Sequence, residues 1–191
     1  MKTIFWGLLI TWLHLNLNFG AMQIELLPSA LGWYWGLKGV KELPPCSARD
    51  AAEGPLKVLI GLSAAVWCMR LAGGLGILGG AVSLMETCVQ VYVLYLLIEL
   101  VAAVETIVSH TMPVASLRLG WKIWTVCVLV GRLLGLSLPL PLLVPLTSVL
   151  VAACALTAFA ASIYLLVQFW NAAKAYEEAI AHPLEFLPPE E

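Results

Sequence analysis

Apolar residues occur along this chain in long runs, and each run ends in a short polar or glycine-rich stretch. A helix that crosses about 30 Å of bilayer hydrocarbon needs roughly 20 apolar residues. The runs therefore predict an all-α transmembrane bundle of six spans in one domain, 1–182. The predicted spans are 3–19, 26–43, 56–78, 82–108, 121–138 and 142–170, followed by a helical extension to 181 and a disordered tail at 183–191.

The second run is shorter than the others because Lys38 and Lys41 interrupt its end, so a re-entrant or interfacial helix is the alternative to a full span. It carries Gly32, Gly36 and Gly39 at steps of four and three residues. Glycines at this spacing form a face that a neighbouring backbone can approach closely. The same argument predicts a second helix-packing contact at Gly76 and Gly80.

Composition and charge agree with a membrane protein. The chain is 61% hydrophobic and 12% charged, whereas soluble domains hold about 25% charged residues. With six spans and both termini in the cytoplasm, eight of the ten basic residues fall on the cytoplasmic side, as the positive-inside rule requires. These eight are Lys2, Lys38, Lys41, Arg49, Lys57, Arg118, Lys122 and Lys174.

The remaining two basic residues, Arg70 and Arg132, lie within predicted spans together with Glu86 and Glu99. An unpaired charge at the helix centre costs at least ~2.5 kcal/mol, so these residues are expected to have partners. Arg70 and Glu86 are equidistant from the turn near Leu78, which predicts the same depth for both. The charge cluster is interpreted either as a clamp that joins helices or as an anion or proton site open to the outer side.

Other classes of chemistry have no support in the sequence. Motifs of metalloproteases, serine hydrolases and phosphate-binding loops are absent, so neither catalytic activity nor a metal or cofactor is predicted. The five cysteines are scattered and include no C-x-x-C pair, which favours simple packing. A net charge of −2 argues against nucleic-acid binding. Most tryptophans, Trp33 among them, are expected in an interfacial belt.

The N-terminal region resembles the first hairpin of small, uncharacterised polytopic membrane proteins of Gram-positive bacteria. The residues that carry this resemblance are Asn16, Asn18, Gly20, Leu27, Pro28, Gly32, Tyr34, Lys38, Gly39 and Leu43. That family often has an acidic residue after the proline, where this chain has Ser29. The resemblance implies a bacterial cytoplasmic membrane location and a multi-pass topology, and no mechanism.

Two functional hypotheses follow. In the first, the protein binds or transports a small solute through an intramembrane polar site. In the second, it is a structural or assembly subunit that packs in the lipid bilayer against a partner membrane protein or a second copy of itself.

Overall fold

The computed structural model describes residues 1–13, 16–19, 22–25, 28–71, 77–108, 111–136 and 144–181. Within these ranges the chain forms six helices and one two-stranded hairpin. The elements are α1 (Lys2–Trp12), β1 (Asn16–Phe19), β2 (Met22–Glu25), α2 (Ser29–Lys41), α3 (Ser47–Leu71), α4 (Ile77–Val108), α5 (Val114–Leu136) and α6 (Val144–Ala181).

Four of the six described helices, α3 to α6, are long and apolar enough to cross a membrane. By contrast, α1 has 11 residues and α2 has 13, which gives lengths of about 17 and 20 Å. Each is shorter than the hydrocarbon layer of about 30 Å. The structure therefore agrees with the predicted helical bundle, while the two N-terminal helices fall short of the length of a full span.

The helices are arranged as a closed ring. Each helix packs against the next one in sequence, α6 returns to contact α1, and α6 also touches α4. Strand β2 packs against α3. We call the end of the bundle at which α1 begins the basic end, and the other end, where the β1–β2 hairpin lies, the hairpin end.

Polar contacts at the basic end hold α1 to α2 and α6. Lys2 Nζ lies 2.7 Å from a carboxylate oxygen of Glu177 near the end of α6. The Thr3 hydroxyl donates a hydrogen bond of 2.5 Å to Glu42, which directly follows α2. Burial lowers the pKa of the Met1 amino group, although the nearby carboxylates of Glu42 and Glu177 oppose this shift. These contacts fix the start of α1 against two neighbours.

Glycines bring α1 and α2 into backbone contact. A Cβ atom added to Gly7 would lie 2.6 Å from both the Gly32 carbonyl oxygen and the Gly36 nitrogen. One added to Gly39 would lie 2.6 Å from the Ile4 nitrogen. Real Cβ atoms do not occupy such positions, so the two helices pack this closely only because these residues have no side chain. Gly32 and Gly39 of the predicted face therefore contact α1, and Gly7 of α1 completes the contact, whereas a Cβ added to Gly36 would meet no atom within 4 Å.

The prediction of a helix from 3 to 19 is wrong in its last part. The helix ends at Trp12, and Asn16–Phe19 pairs as a strand with Met22–Glu25. Polar and apolar residues alternate along both strands, which is the period of a strand and not of a helix. The backbone register pairs Asn18 with Gln23 and Leu17 with Ile24, so polar positions are paired with polar ones and apolar positions with apolar ones.

Other helix bounds also differ from the predicted ones. α3 begins at Ser47, nine residues before the predicted start at 56, and continues through Pro55. The polar first turns are stabilised by Arg49, whose guanidinium donates a 3.0 Å hydrogen bond to the Leu43 carbonyl oxygen. α5 begins at Val114 rather than at 121, and α6 extends to Ala181 as predicted.

Three predictions fall wholly or partly outside the described residues. Gly76 and the predicted tail at 183–191 lie outside the described residues. Gly80 lies in the first turn of α4, and its surroundings are likewise outside the description.

We expect Gly32→Val to destabilise the fold by about 1–3 kcal/mol, because the added side chain would overlap the backbone of α1. Gly61→Val is the matched control, since a Cβ at Gly61 meets no atom within 4 Å. The measurement is the free energy of unfolding of the purified variants in bicelles. Equal stability of the two variants would contradict the close contact between α1 and α2.

Candidate functional site

A small polar cavity lies inside the bundle, in the half nearer the hairpin end. Its volume is about 60 Å³, which is enough for a few water molecules or one small solute. Side chains from the first five helices form its wall. The lining residues are Thr11, Ser29, Trp33, Ser63, Val66, Arg70, Glu86, Thr87, Gln90 and Arg132.

Glu86 on α4 is held in this cavity by a hydrogen bond from α3. The Ser63 hydroxyl donates to Glu86 Oε1 over 2.7 Å, and Ser63 is 1% exposed. A hydrogen bond to an ionised group is worth more than one between neutral groups. This bond therefore fixes the carboxylate and joins the two helices at the depth of the cavity.

All three buried polar or charged residues among the described residues line this cavity. They are Thr11, Ser63 and Thr87. The Thr11 hydroxyl donates to the Gly7 carbonyl oxygen over 2.9 Å, and the Thr87 hydroxyl donates to that of Ser83 over 2.8 Å. Because each threonine uses its only hydroxyl hydrogen within its own helix, its oxygen is left as an acceptor. The hydroxyl groups of these three residues therefore surround one space.

Three of the four residues of the predicted charge cluster line the cavity. Arg70 and Glu86 lie on adjacent antiparallel helices, and Arg132 reaches the same space from α5. Arg132 is exposed, and no hydrogen bond or ion pair joins it to another residue that the structure describes. Two guanidinium groups and one carboxylate therefore surround a space that also contains hydroxyl and amide groups.

Glu99 lies apart from this cavity. Its two carboxylate oxygens are 3.0 and 3.1 Å from Nη2 of Arg118, which lies in α5 near the basic end. The neighbouring Tyr95 packs its ring against Trp121, with centroids 5.4 Å apart. Both partners of the ion pair are partly exposed. The structure thus assigns Glu99 to a peripheral contact between α4 and α5.

Sequence reasoning missed the hydroxyl residues and misplaced one aromatic residue. Ser63, Thr11 and Thr87 carried no clear signal, because single hydroxyls inside apolar runs commonly bond to their own helix. Trp33, expected at the membrane interface, is 1% exposed and forms part of the cavity wall. Its position follows from the close approach of α1 to α2, which the sequence does not specify.

A larger space adjoins the cavity at Arg132. This groove has a volume of about 480 Å³ and lies between α4, α5 and α6. Its lining is mainly apolar and small. The residues are Ser83, Leu84, Cys127, Val128, Gly131, Arg132, Val151, Cys154, Ala155 and Ala158. Arg132 is the one residue that lines both spaces.

The chain matches no protein-family model, no curated protein and no solved structure. Among the described residues, no group of three or more histidine, cysteine, aspartate or glutamate side chains is placed to hold a metal ion. Any function must therefore be inferred from the cavity and its surroundings.

We expect Ser63→Ala to destabilise the protein by about 1–2 kcal/mol, because Glu86 loses a buried donor. Ser162→Ala is the matched control. The Ser162 hydroxyl donates only to the Ala158 carbonyl oxygen of its own helix, at 2.9 Å, so its loss should change stability by less than about 0.5 kcal/mol. The free energy of unfolding in bicelles distinguishes the two variants. Equal effects would mean that Ser63 adds nothing through Glu86.

Proposed function

We propose that this protein lies in the bacterial cytoplasmic membrane as a multi-pass protein and binds a small anionic solute in the polar cavity. The observation that carries the proposal is the convergence of Arg70, Glu86 and Arg132 with every buried polar side chain of the described residues on one space. Ionisable residues inside a membrane bundle commonly mark a pathway for a solute or a proton. As an extension of this proposal, the protein transports the solute across the membrane through the cavity.

The orientation proposed is both termini in the cytoplasm. Eight basic residues lie at or near the basic end, since α1, α3 and α5 begin there and α2, α4 and α6 end there. The other two, Arg70 and Arg132, line the cavity nearer the hairpin end. The positive-inside rule then places the basic end in the cytoplasm and the cavity towards the outer side.

The short helices α1 and α2 would complete this crossing together with the hairpin. Four residues of strand add about 13 Å to the 17 Å of α1. Backbone outside a helix is tolerated at membrane depth where protein covers it or where it lines a cavity. The packing of β2 on α3 provides such cover, which supports six crossings despite only four long helices.

The lining of the cavity favours an anion of few atoms. The guanidinium groups of Arg70 and Arg132 each have five N–H donors, a number that exceeds what a single partner can accept. The side-chain amide of Gln90 adds a further donor. Glu86 already accepts a hydrogen bond from Ser63. A volume of about 60 Å³ excludes a nucleotide or sugar. Formate, acetate, nitrate and chloride have suitable sizes.

We expect cysteines at the two ends of the bundle to react from opposite sides of the membrane. Thr111→Cys, which precedes α5, and Gln23→Cys in β2 would be compared in a chain whose five cysteines are replaced by alanine. A membrane-impermeant maleimide should label Gln23→Cys in intact cells and Thr111→Cys only after permeabilisation. Labelling of both from the same side would contradict the proposed topology.

We expect at least one small anion to stabilise the wild-type protein. An anion at 100 times its Kd adds about 2.7 kcal/mol, which corresponds to a rise in Tm of about 5 °C or more. The measurement is the thermal unfolding of purified protein with formate, acetate, nitrate or chloride at constant ionic strength.

The matched variants for this test are Arg132→Gln and Lys122→Gln, two charge removals on α5. Lys122 is exposed and near the basic end, so its variant should keep the response, while Arg132→Gln should lose it. If no anion stabilises the wild type and a water-soluble carbodiimide fails to modify Glu86, the charges form a structural clamp.

The assembly hypothesis is supported by one feature of α6. This helix exposes large apolar side chains among several exposed alanines, with Leu156 72% exposed and Phe159 66% exposed. A small-residue surface permits close helix packing in a membrane. Disulfide cross-linking through Leu156→Cys in native membranes would show whether a second copy or another protein lies there.

A further inference from the structure

We propose that the groove between α5 and α6 is a binding site for an anionic phospholipid, with the lipid phosphate on Arg132 and one acyl chain along the groove. This groove and the polar cavity share Arg132, so a lipid phosphate and a soluble anion would compete for its guanidinium. The lipid site is inferred from the shape of the groove, the position of Arg132 and the lack of a partner for its charge among the residues that the structure describes.

The groove has the size and lining that an acyl chain requires. Its volume of about 480 Å³ lies within the range of about 300–1,000 Å³ that ligand sites occupy. Gly131 on α5 lines the groove, and a Cβ added there would make an ordinary van der Waals contact with Cys154 Cβ at 3.5 Å, so only a larger side chain would fill the groove. Alanines on α6 form the opposite wall. A hydrocarbon chain would fill a space that these small side chains leave empty.

Arg132 lies near the end of α5 at which a lipid headgroup would be found. It is four residues before the end of α5 at Leu136, about 6 Å along the helix axis. An arginine so near a helix end can extend to the interfacial region. The groove extends from this residue past Cys127 on α5 and Ala158 on α6, away from the end of α5. The phosphate of one lipid would therefore lie at Arg132, and one of its acyl chains would lie along the groove.

The guanidinium of Arg132 has no hydrogen-bond or ion-pair partner among the described residues, so it is free to bind an anion. Glu86 lines the same polar cavity, yet no ion pair joins it to Arg132 within 4.0 Å. Arginine binds phosphate oxygens through two parallel N–H donors, which makes it a good anchor for a phosphodiester. Basic residues between membrane helices bind anionic lipid headgroups by this chemistry. A zwitterionic lipid offers the same phosphate beside a positive group and should bind less tightly.

The test is native mass spectrometry of the purified full chain in detergent with phosphatidylglycerol or phosphatidylcholine. The wild type should retain phosphatidylglycerol about tenfold more tightly than phosphatidylcholine. Arg132→Gln should remove this preference, because the charge-assisted contact to phosphate is lost. Lys122→Gln, which removes an exposed charge at the other end of α5, should leave the preference unchanged. If Arg132→Gln still retains phosphatidylglycerol more tightly than phosphatidylcholine, the proposal is overturned.

The groove itself is tested by filling it. Gly131→Leu should lower the retention of both lipids, whereas Gly61→Leu, at a glycine with open space around it, should not. Ala158→Leu fills the groove from α6 and replaces Gly131→Leu if that variant fails to fold. Equal lipid retention in the filled and control variants overturns the site.

A soluble anion is the other source of the same chemistry. Inorganic phosphate and glycerol phosphate would be added to the wild type carrying phosphatidylglycerol. Retention of the lipid in millimolar phosphate supports a lipid site. If these anions displace the lipid equally from the wild type and from Lys122→Gln, Arg132 binds a soluble ligand instead. This result would overturn the lipid proposal.

Discussion

The contact between the backbones of α1 and α2 determines where both helices can place their side chains. Gly7 and Gly39 allow an approach that any Cβ atom would prevent. Without this approach, Thr11 could not reach the cavity from α1, and Trp33 could not form a wall of it from α2. The energy of this contact comes from close packing rather than from the hydrophobic effect, because lipid is as apolar as the helix surface.

A second consequence of this close packing is the separation of polar residues into two regions. At the basic end, ion pairs such as Lys2–Glu177 are half exposed and contribute little to stability individually. Near the hairpin end, the polar groups lie inside the bundle, where an unsatisfied group is costly. Here Ser63 supports Glu86, and the hydroxyls of Thr11 and Thr87 bond to their own helices. The two regions therefore have different chemistry although both contain charged residues.

The sequence specified the helices of this fold better than the irregular elements between them. The long apolar runs identified α3 to α6, and the glycine spacing identified the packed face of α2. The hairpin was missed because polar Asn16 and Asn18 follow an apolar run, and alternation over only four residues is a weak signal beside it. For the cavity, the prediction that Arg70 and Glu86 share one depth was wrong in its premise, because it assumed a turn near Leu78 and this residue lies within α4. Glu86 instead bonds with Ser63, seven residues before Arg70 on α3. The sequence also could not reveal that Glu99 binds Arg118, since that pairing depends on helix rotation.

The helices form a closed ring in which the first helix packs against the last. This arrangement affects when the fold can be completed during synthesis. α1 and α2 are each too short to span a bilayer alone, and their close backbone contact joins them as one unit. α1 then keeps one side uncovered until α6 is synthesised, because Phe5 packs against Trp170, with ring centroids 4.9 Å apart. Until that moment Lys2 also lacks Glu177. The packing of α1 is therefore complete only when α6, the last helix, is in place. Until then, the uncovered side of α1 would be exposed to chaperones and membrane proteases.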